Sequence, residues 1–172
     1  MKNGIIILGS ANSNGETAQV VNALQQATGF EMIDLNKFKI GHFDYEFKNQ
    51  GDDFLTLFHY IVNEYDGIIF ATPVYWYTMS GRTKVFLDRF SDALKMEKYK
   101  DTGRQLRGMQ MAVISCGYDE EVKEGFEMPF RESAKYLGME YVGAVHTYLQ
   151  ERPMTEEIRQ RIKDFAEKIC KI

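Results

Sequence analysis

Residues 4–17 read GIIILGSANSNGET: four consecutive aliphatic side chains from Ile5 to Leu8, then glycine, small hydroxyl and amide residues, then an amphipathic pattern from Thr17. An apolar run without alternation reads as a strand buried on both faces. The Gly, Ser and Asn residues at its end break it. Strand, polar loop and helix in direct succession form the first unit of a chain that alternates between the two kinds of element. Outward from this stretch the pattern repeats, with further solid runs at 30–35 (FEMIDL), 66–71 (DGIIFA), 109–115 (MQMAVIS) and 139–148 (MEYVGAVHTY).

Helical spacing fills the intervals. Val20, Val21, Leu24 and Ala27 make one stripe, and Phe54, Phe58, Ile61, Val62 and Tyr65 make a second. A third, beyond Pro153, joins Ile158, Ile162, Phe165, Ala166 and Ile169, with Glu156 and Glu157 at its start and Lys168 and Lys171 at its end, the charge order a helix dipole favours. Ser80 to Phe90 and Glu120 to Leu137 complete the set, the latter kinked or started late by Pro129. Five strands alternating with five helices predict an α/β fold: a flavodoxin-like three-layer sandwich, one domain over 1–172, with a parallel sheet in the order 2-1-3-4-5. Such sheets bind ligands beyond the carboxyl ends of their strands, where the winding direction switches, here between the first and third strands.

Bulk properties narrow the function. The chain has 172 residues, 44% of them hydrophobic and 27% charged, with a net charge of -4, and its charges are scattered. That excludes the basic footprint of a nucleic-acid binder and the composition of a disordered chain. The apolar run GIIIL is too short for a signal-peptide core or a membrane span. Cys116 and Cys170 lie far apart and show no metal-ligand spacing, and His42, His59 and His146 show none either, so no metal site is expected. A cytoplasmic setting follows.

Three loops should share the pocket. The first, GSANSNGET, offers hydroxyls on Ser10, Ser13 and Thr17 and amides on Asn12 and Asn14, and it runs into a helix N-terminus, which suits an anion such as a phosphate monoester. It matches neither the nucleoside-triphosphate P-loop nor GxGxxG, and an ordinary capped turn stays open as an alternative. The second, ATPVYWYTMSG (71–81), sets Tyr75, Trp76 and Tyr77 directly after a buried strand; they line a flat amphipathic cavity or form a hydrophobic lid or subunit interface. The third, SCGYDEE from Ser115, adds Gly117, which permits close backbone approach, and Tyr118, which can cover a ligand. Cys116 has no evident histidine partner and is not read as a nucleophile.

In this order and at these strand ends, GSANSNGET, TPVYWYTMSGRTKVFLDR and SCGYDEE resemble the NADPH-dependent FMN reductase family of flavodoxin-like proteins over roughly residues 2 to 148. The resemblance implies that Ser10, Asn12, Ser13, Asn14, Gly15, Glu16 and Thr17 surround the FMN phosphate. Pro73, Val74, Tyr75 and Trp76 would hold the isoalloxazine edge, and Ser115, Gly117 and Tyr118 its pyrimidine side. It also implies NADPH or NADH as electron donor, a quinone, flavin, nitro or azo compound as acceptor, and a homodimer. No residue is named as catalytic, since hydride transfer is the flavin's own chemistry.

The chain departs from the family pattern twice. No basic residue follows GS and Glu16 precedes Thr17, so phosphate binding relies on neutral donors and the helix end, and Glu16 adds an unfavourable charge unless it points to solvent. At 40–54 the sequence IGHFDYEFKNQGDDF carries no cysteine where the iron-sulfur branch has a cluster, which excludes one here. A flavodoxin-like electron carrier and a non-catalytic flavin-binding protein remain alternatives. Met79, Val85, Phe86 and Phe90, with Tyr75 to Tyr77, supply more apolar surface than one sheet face needs and are expected near a dimer contact, and the Ser91–Gly108 connection, with Lys95, Lys98, Lys100, Arg104 and Arg107, reads as a solvated loop or an attractor of a nicotinamide phosphate.

Overall fold

The solid apolar runs form the strands of a computed structural model that describes residues 1–171. β1 (Gly4–Leu8) is buried at every position and lies between β2 (Glu31–Asp34) and β3 (Gly67–Tyr75), parallel to both, with Ile7 opposite Ile33 on one side and Phe70 on the other. β5 (Gln110–Gly117) continues the sheet beyond β3, and β6 (Glu140–Tyr148) forms the far edge. The order β2-β1-β3-β5-β6 is the expected 2-1-3-4-5. Its numbering is displaced by a two-residue strand, β4 (Thr78–Met79), which folds back antiparallel on the end of β3.

Side chains alternate across a strand, so a solid apolar run supplies two cores at once. Ile6, Leu8, Ile69, Ala71, Ala112 and Ile114 face α1 (Glu16–Thr28) and α7 (Glu156–Cys170). Ile5, Ile7, Ile68, Phe70, Met111 and Val113 face α2 (Phe54–Glu64), α3 (Gly81–Asp88), α4 (Phe90–Lys95) and α6 (Met128–Leu137). The second layer is dominated by rings: Phe58 and Phe90 meet edge to face at 5.1 Å, and Phe54 and Phe86 at 5.4 Å. Pairs of this kind add roughly 0.5–1.5 kcal/mol each beyond the area they bury.

One open alternative is decided and two expectations change. The helix read over Glu120–Leu137 begins only at Met128, with Pro129 in its first turn, where the missing N–H costs nothing. The segment Ser91–Gly108 is not an open loop: α4, a 3-10 turn at Glu97–Tyr99 and α5 (Lys100–Arg104) fold it down, and Leu106 is fully buried. Three of its cations are engaged locally, Lys95 over the rings of Phe43 and Tyr45 at 5.1 and 4.8 Å, Lys100 with Glu97, and Arg104 with Asp101. Met79, Phe86 and Phe90 are buried in the ring-rich core, so of the residues read as apolar surplus it is Tyr75, Trp76 and Tyr77 that stay exposed.

The segment between β2 and α2 is held by one buried cation. Arg89, at the junction of α3 and α4, has no exposed side-chain surface; it donates to Asp52 at 2.5 Å, to Asp92 at 2.7 Å and to the carbonyls of Gly41 and Asn49 at 2.9 and 3.1 Å. Burial opposes its charge, but its bonds to Asp52 and Asp92 more than compensate and keep the guanidinium protonated. No helix among the described residues is long and apolar enough to cross a membrane.

Candidate functional site

The carboxyl ends of β1, β3 and β5 open side by side at the winding switch. Between the first two, Gly9 donates to Ala71 O at 2.8 Å, and a Cβ built on Gly9 would lie 1.9 Å from Thr83 Oγ1. Glycine is therefore the residue that lets the start of α3 press against the first loop. Ser80 caps α3, accepting from Thr83 N at 3.1 Å, and its hydroxyl donates to Gly9 O. Ser10, Thr17, Thr72, Ser80 and Thr83 are all buried polar side chains here, which sets a framework of hydroxyls under the loop.

The first loop is bonded to itself and to β2. Ser10 Oγ accepts from Asn12 N at 3.1 Å and Asn12 Oδ1 from Asn14 N at 2.9 Å. Asn36, in the turn after β2, donates its amide to Ser10 O at 2.7 Å and to Ser13 Oγ at 3.0 Å, and is itself fixed by Asp34. Gly15 caps α1 without a side chain, so the helix's first amide groups are left for a ligand or water. A neutral, hydroxyl-lined nest at a helix N-terminus fits a phosphate monoester. Glu16, the first residue of that helix, points elsewhere: its carboxylate accepts from Glu151 N at 2.5 Å.

The second loop is a hairpin tip. Tyr75 pairs with Thr78, and the two residues between them, Trp76 and Tyr77, both take left-handed backbone conformations, φ 49° and 66°. Turns of this type favour Asn and Gly, and a bulky residue there carries strain on the order of 1–2 kcal/mol. The strained backbone turns the rings outward: Trp76 is 92% exposed and Tyr77 62%. Pro73 and Val74, behind them, stay in β3 opposite Cys116 and Met79.

The third loop closes the opposite wall. Val74, Trp76, Tyr77, Gly117, Tyr118 and His146 line a cavity of about 220 Å³. A Cβ on Gly117 would meet His146 Cε1 at 3.1 Å and Val74 Cβ at 3.3 Å, so the absence of a side chain keeps that wall open to a flat ring. Beneath it Ser115 Oγ and His146 Nδ1 are 2.8 Å apart, and His146 Nε2 is 2.9 Å from Asp119 O. A carbonyl only accepts, so Nε2 carries the proton and Nδ1 accepts from the Ser115 hydroxyl. Burial pushes the His146 pKa below its ordinary value, which keeps that neutral tautomer. Cys116 lies in the core with its pKa raised to about 11 by burial, so it is a thiol and not a nucleophile at neutral pH. A larger cavity of about 440 Å³ lies between α1 and α7, away from these strand ends.

Thus the three predicted loops lie at neighbouring strand ends, and within the first of them Ser13 is tied to the turn after β2 and Glu16 to the turn after β6. Sequence reasoning missed Asn36, His146 and Arg89. A doubly wound sheet with an anion nest at its switch point and an aromatic-walled cavity beside it defines a nucleotide-binding protein of flavodoxin-like architecture. Residues 3–153 match the family described as NADPH-dependent FMN reductase, and the chain belongs to that family. A Bacillus subtilis (strain 168) protein provisionally named as the NAD(P)H-dependent FMN-containing oxidoreductase YwqN is 30% identical over 148 residues, 81% of each chain. Among solved structures, the Trp repressor binding protein of Bacillus subtilis matches with a TM-score of 0.74 at 25% identity, covering 94% of this chain and 96% of that one. General stress protein 14 of Treponema denticola, solved in complex with FMN, shares the fold with a TM-score of 0.62 at 19% identity, covering 96% of this chain and 94% of that one.

Proposed function

We propose that residues 1–172 form a single FMN-binding domain that oxidises NADPH or NADH and reduces a small aromatic acceptor, a quinone, free flavin, nitro or azo compound. One observation carries the reading: a phosphate nest without a cation at the β1/β3 switch lies on the same edge of the sheet as an aromatic-walled cavity at the ends of β3, β5 and β6, the two half-sites that a flavin nucleotide spans. Ser10, Asn12, Ser13, Asn14, Gly15 and Thr17, with the first amides of α1, hold the phosphate. Pro73, Val74, Tyr75 and Trp76 border the isoalloxazine, and Ser115, Gly117 and Tyr118 its pyrimidine side.

FMN, when bound, supplies the hydride chemistry. The chain orients and shields it. The α1 N-terminus stabilises the phosphate by about 0.3–1 kcal/mol, and more where it is partly buried. Gly117 admits the ring against the β5 backbone, and Trp76 and Tyr118 offer faces on which a flat second substrate stacks. No side chain is assigned a proton transfer, because Cys116 is protonated and both ring nitrogens of His146 are engaged.

The reading includes a cytoplasmic homodimer, with the exposed rings of Tyr75, Trp76, Tyr77 and Tyr118 as the surface a second subunit shares with the acceptor. Sedimentation as a monomer at micromolar concentration overturns that part. The central test is the visible spectrum of the protein with FMN, followed by NADPH without oxygen. Bound-flavin bands that bleach, and return with a quinone, are expected; a protein that takes up no FMN overturns the function.

A further inference from the structure

The turn that joins β6 to α7 has no part in the site as described, yet it touches both of its ends. Leu149 to Arg152 is closed by Arg152 N donating to Leu149 O at 3.0 Å, and its two central residues, Gln150 and Glu151, stand at φ 55° and 59°. Consecutive non-glycine residues in the left-handed region persist only where their surroundings hold them. Two contacts do so. Gln150 Nε2 donates to Tyr118 O at 2.9 Å, and Glu151 N donates to Glu16 Oε1 at 2.5 Å. Four residues upstream, His146 Nε2 donates to Asp119 O, the next carbonyl of the ring-side loop.

The chain of contacts therefore runs from the first residue of α1, behind the phosphate nest, through Glu151 and Gln150, to the loop that walls the ring cavity. On the flavin reading above, we propose that Glu16 and Gln150 are positioning residues that clamp the phosphate loop to the ring-side loop, fixing the span between the two half-sites. Glu16 then acts through its acceptor oxygen, and its charge is spent on a backbone N–H instead of opposing the phosphate. The two contacts are in series, so breaking either one releases the clamp.

The test is a set of FMN and riboflavin titrations, read by flavin fluorescence and by the long-wavelength absorption band, on the full chain and on E16Q, E16A, Q150A and E16A/Q150A. Circular dichroism confirms that each is folded. Glutamine keeps an acceptor oxygen at position 16, so E16Q is expected to bind within threefold of the wild type, on the order of a neutral-for-charged exchange of one hydrogen bond. E16A and Q150A should each weaken FMN about tenfold and move the bound flavin's band toward that of free flavin, and the double variant should be no worse than either. Tighter FMN binding by both E16Q and E16A, with riboflavin unaffected, overturns the clamp and leaves Glu16 as an electrostatic opponent of phosphate. E16Q as weak as E16A, unchanged binding by E16A, or additive losses in the double variant overturn it as well, while the flavin reading stands. A wild-type chain that binds neither flavin overturns the flavin reading itself, and the clamp with it.

Discussion

At the phosphate-loop end the side chains that shape the site are tied to the chain: Ser10, Asn12 and Ser13 are bonded within the loop or to Asn36, and the hydroxyl residues Thr17, Thr72, Ser80 and Thr83 are buried beside them. At the ring end the largest side chains stand free, with Trp76 92% and Tyr118 77% exposed. The difference follows what each end has to recognise. A phosphate is the same in every turnover, so a rigid nest with prepaid order suits it. A stacking partner varies, and unsatisfied ring faces accept many flat molecules at little cost in specificity.

The comparison is broken most severely at Gly9. A Gly9→Val side chain has to displace Thr83, whose Oγ1 lies 1.9 Å from the new Cβ and whose Cα lies 3.2 Å away. A loss of roughly 3 kcal/mol in urea unfolding is expected, with FMN binding abolished. Asn36→Ala comes next. It leaves the Ser10 carbonyl and the Ser13 hydroxyl without their amide partner, and FMN affinity should fall about tenfold while riboflavin, which lacks the phosphate, binds as before. Equal losses for both flavins would show that the nest does not read the phosphate.

Two smaller effects sharpen the contrast at the ring end. Tyr77→Gly removes a side chain from a left-handed position, and the melting temperature should rise by about 2–4 °C for about 1 kcal/mol of relieved strain, while KM for a quinone increases. A lower melting temperature would mean that the ring's own contacts outweigh the strain. The smallest is a pH effect at His146, whose folded pKa burial holds below its ordinary value. Between the two values the unfolded chain binds the extra proton, so this residue's contribution is present above about pH 6.5 and declines as the pH falls toward the folded pKa. Urea midpoints of the wild type should drop across that window, and those of His146→Gln should not.

The sheet was readable because its central strands, β1, β3 and β5, are buried on both faces and so appear as unbroken apolar runs; β1 and β5 came within two residues of their bounds. The fold's irregular parts were not. α4 and α5 are too short to show a helical stripe, and Pro129, which allows a late helix start as well as a kink, left the beginning of α6 undecided. The β3–β4 hairpin carries Trp-Tyr where such turns normally carry Asn-Gly, so nothing announced it. The loops of the site were legible as loops, because strand ends and turn residues mark them. Asn36, Gln150 and His146 were not, since each acts on a segment at least 23 residues away and only the parallel register brings them there. Arg89 was hidden for a related reason: its partners Asp52 and Asp92 lie 37 and 3 residues off, and charge in a sequence gives no sign of burial.

The hairpin tip has a practical consequence. Trp76 is the chain's only tryptophan, and it stands 92% exposed on the rim of the ring cavity. In the single chain without flavin, unfolding therefore moves the indole from water to water. A melting curve followed by tryptophan emission should stay nearly flat while far-ultraviolet ellipticity records the loss of the helices, so that emission intensity reports what lands on this one surface and says almost nothing about whether the rest of the chain is folded.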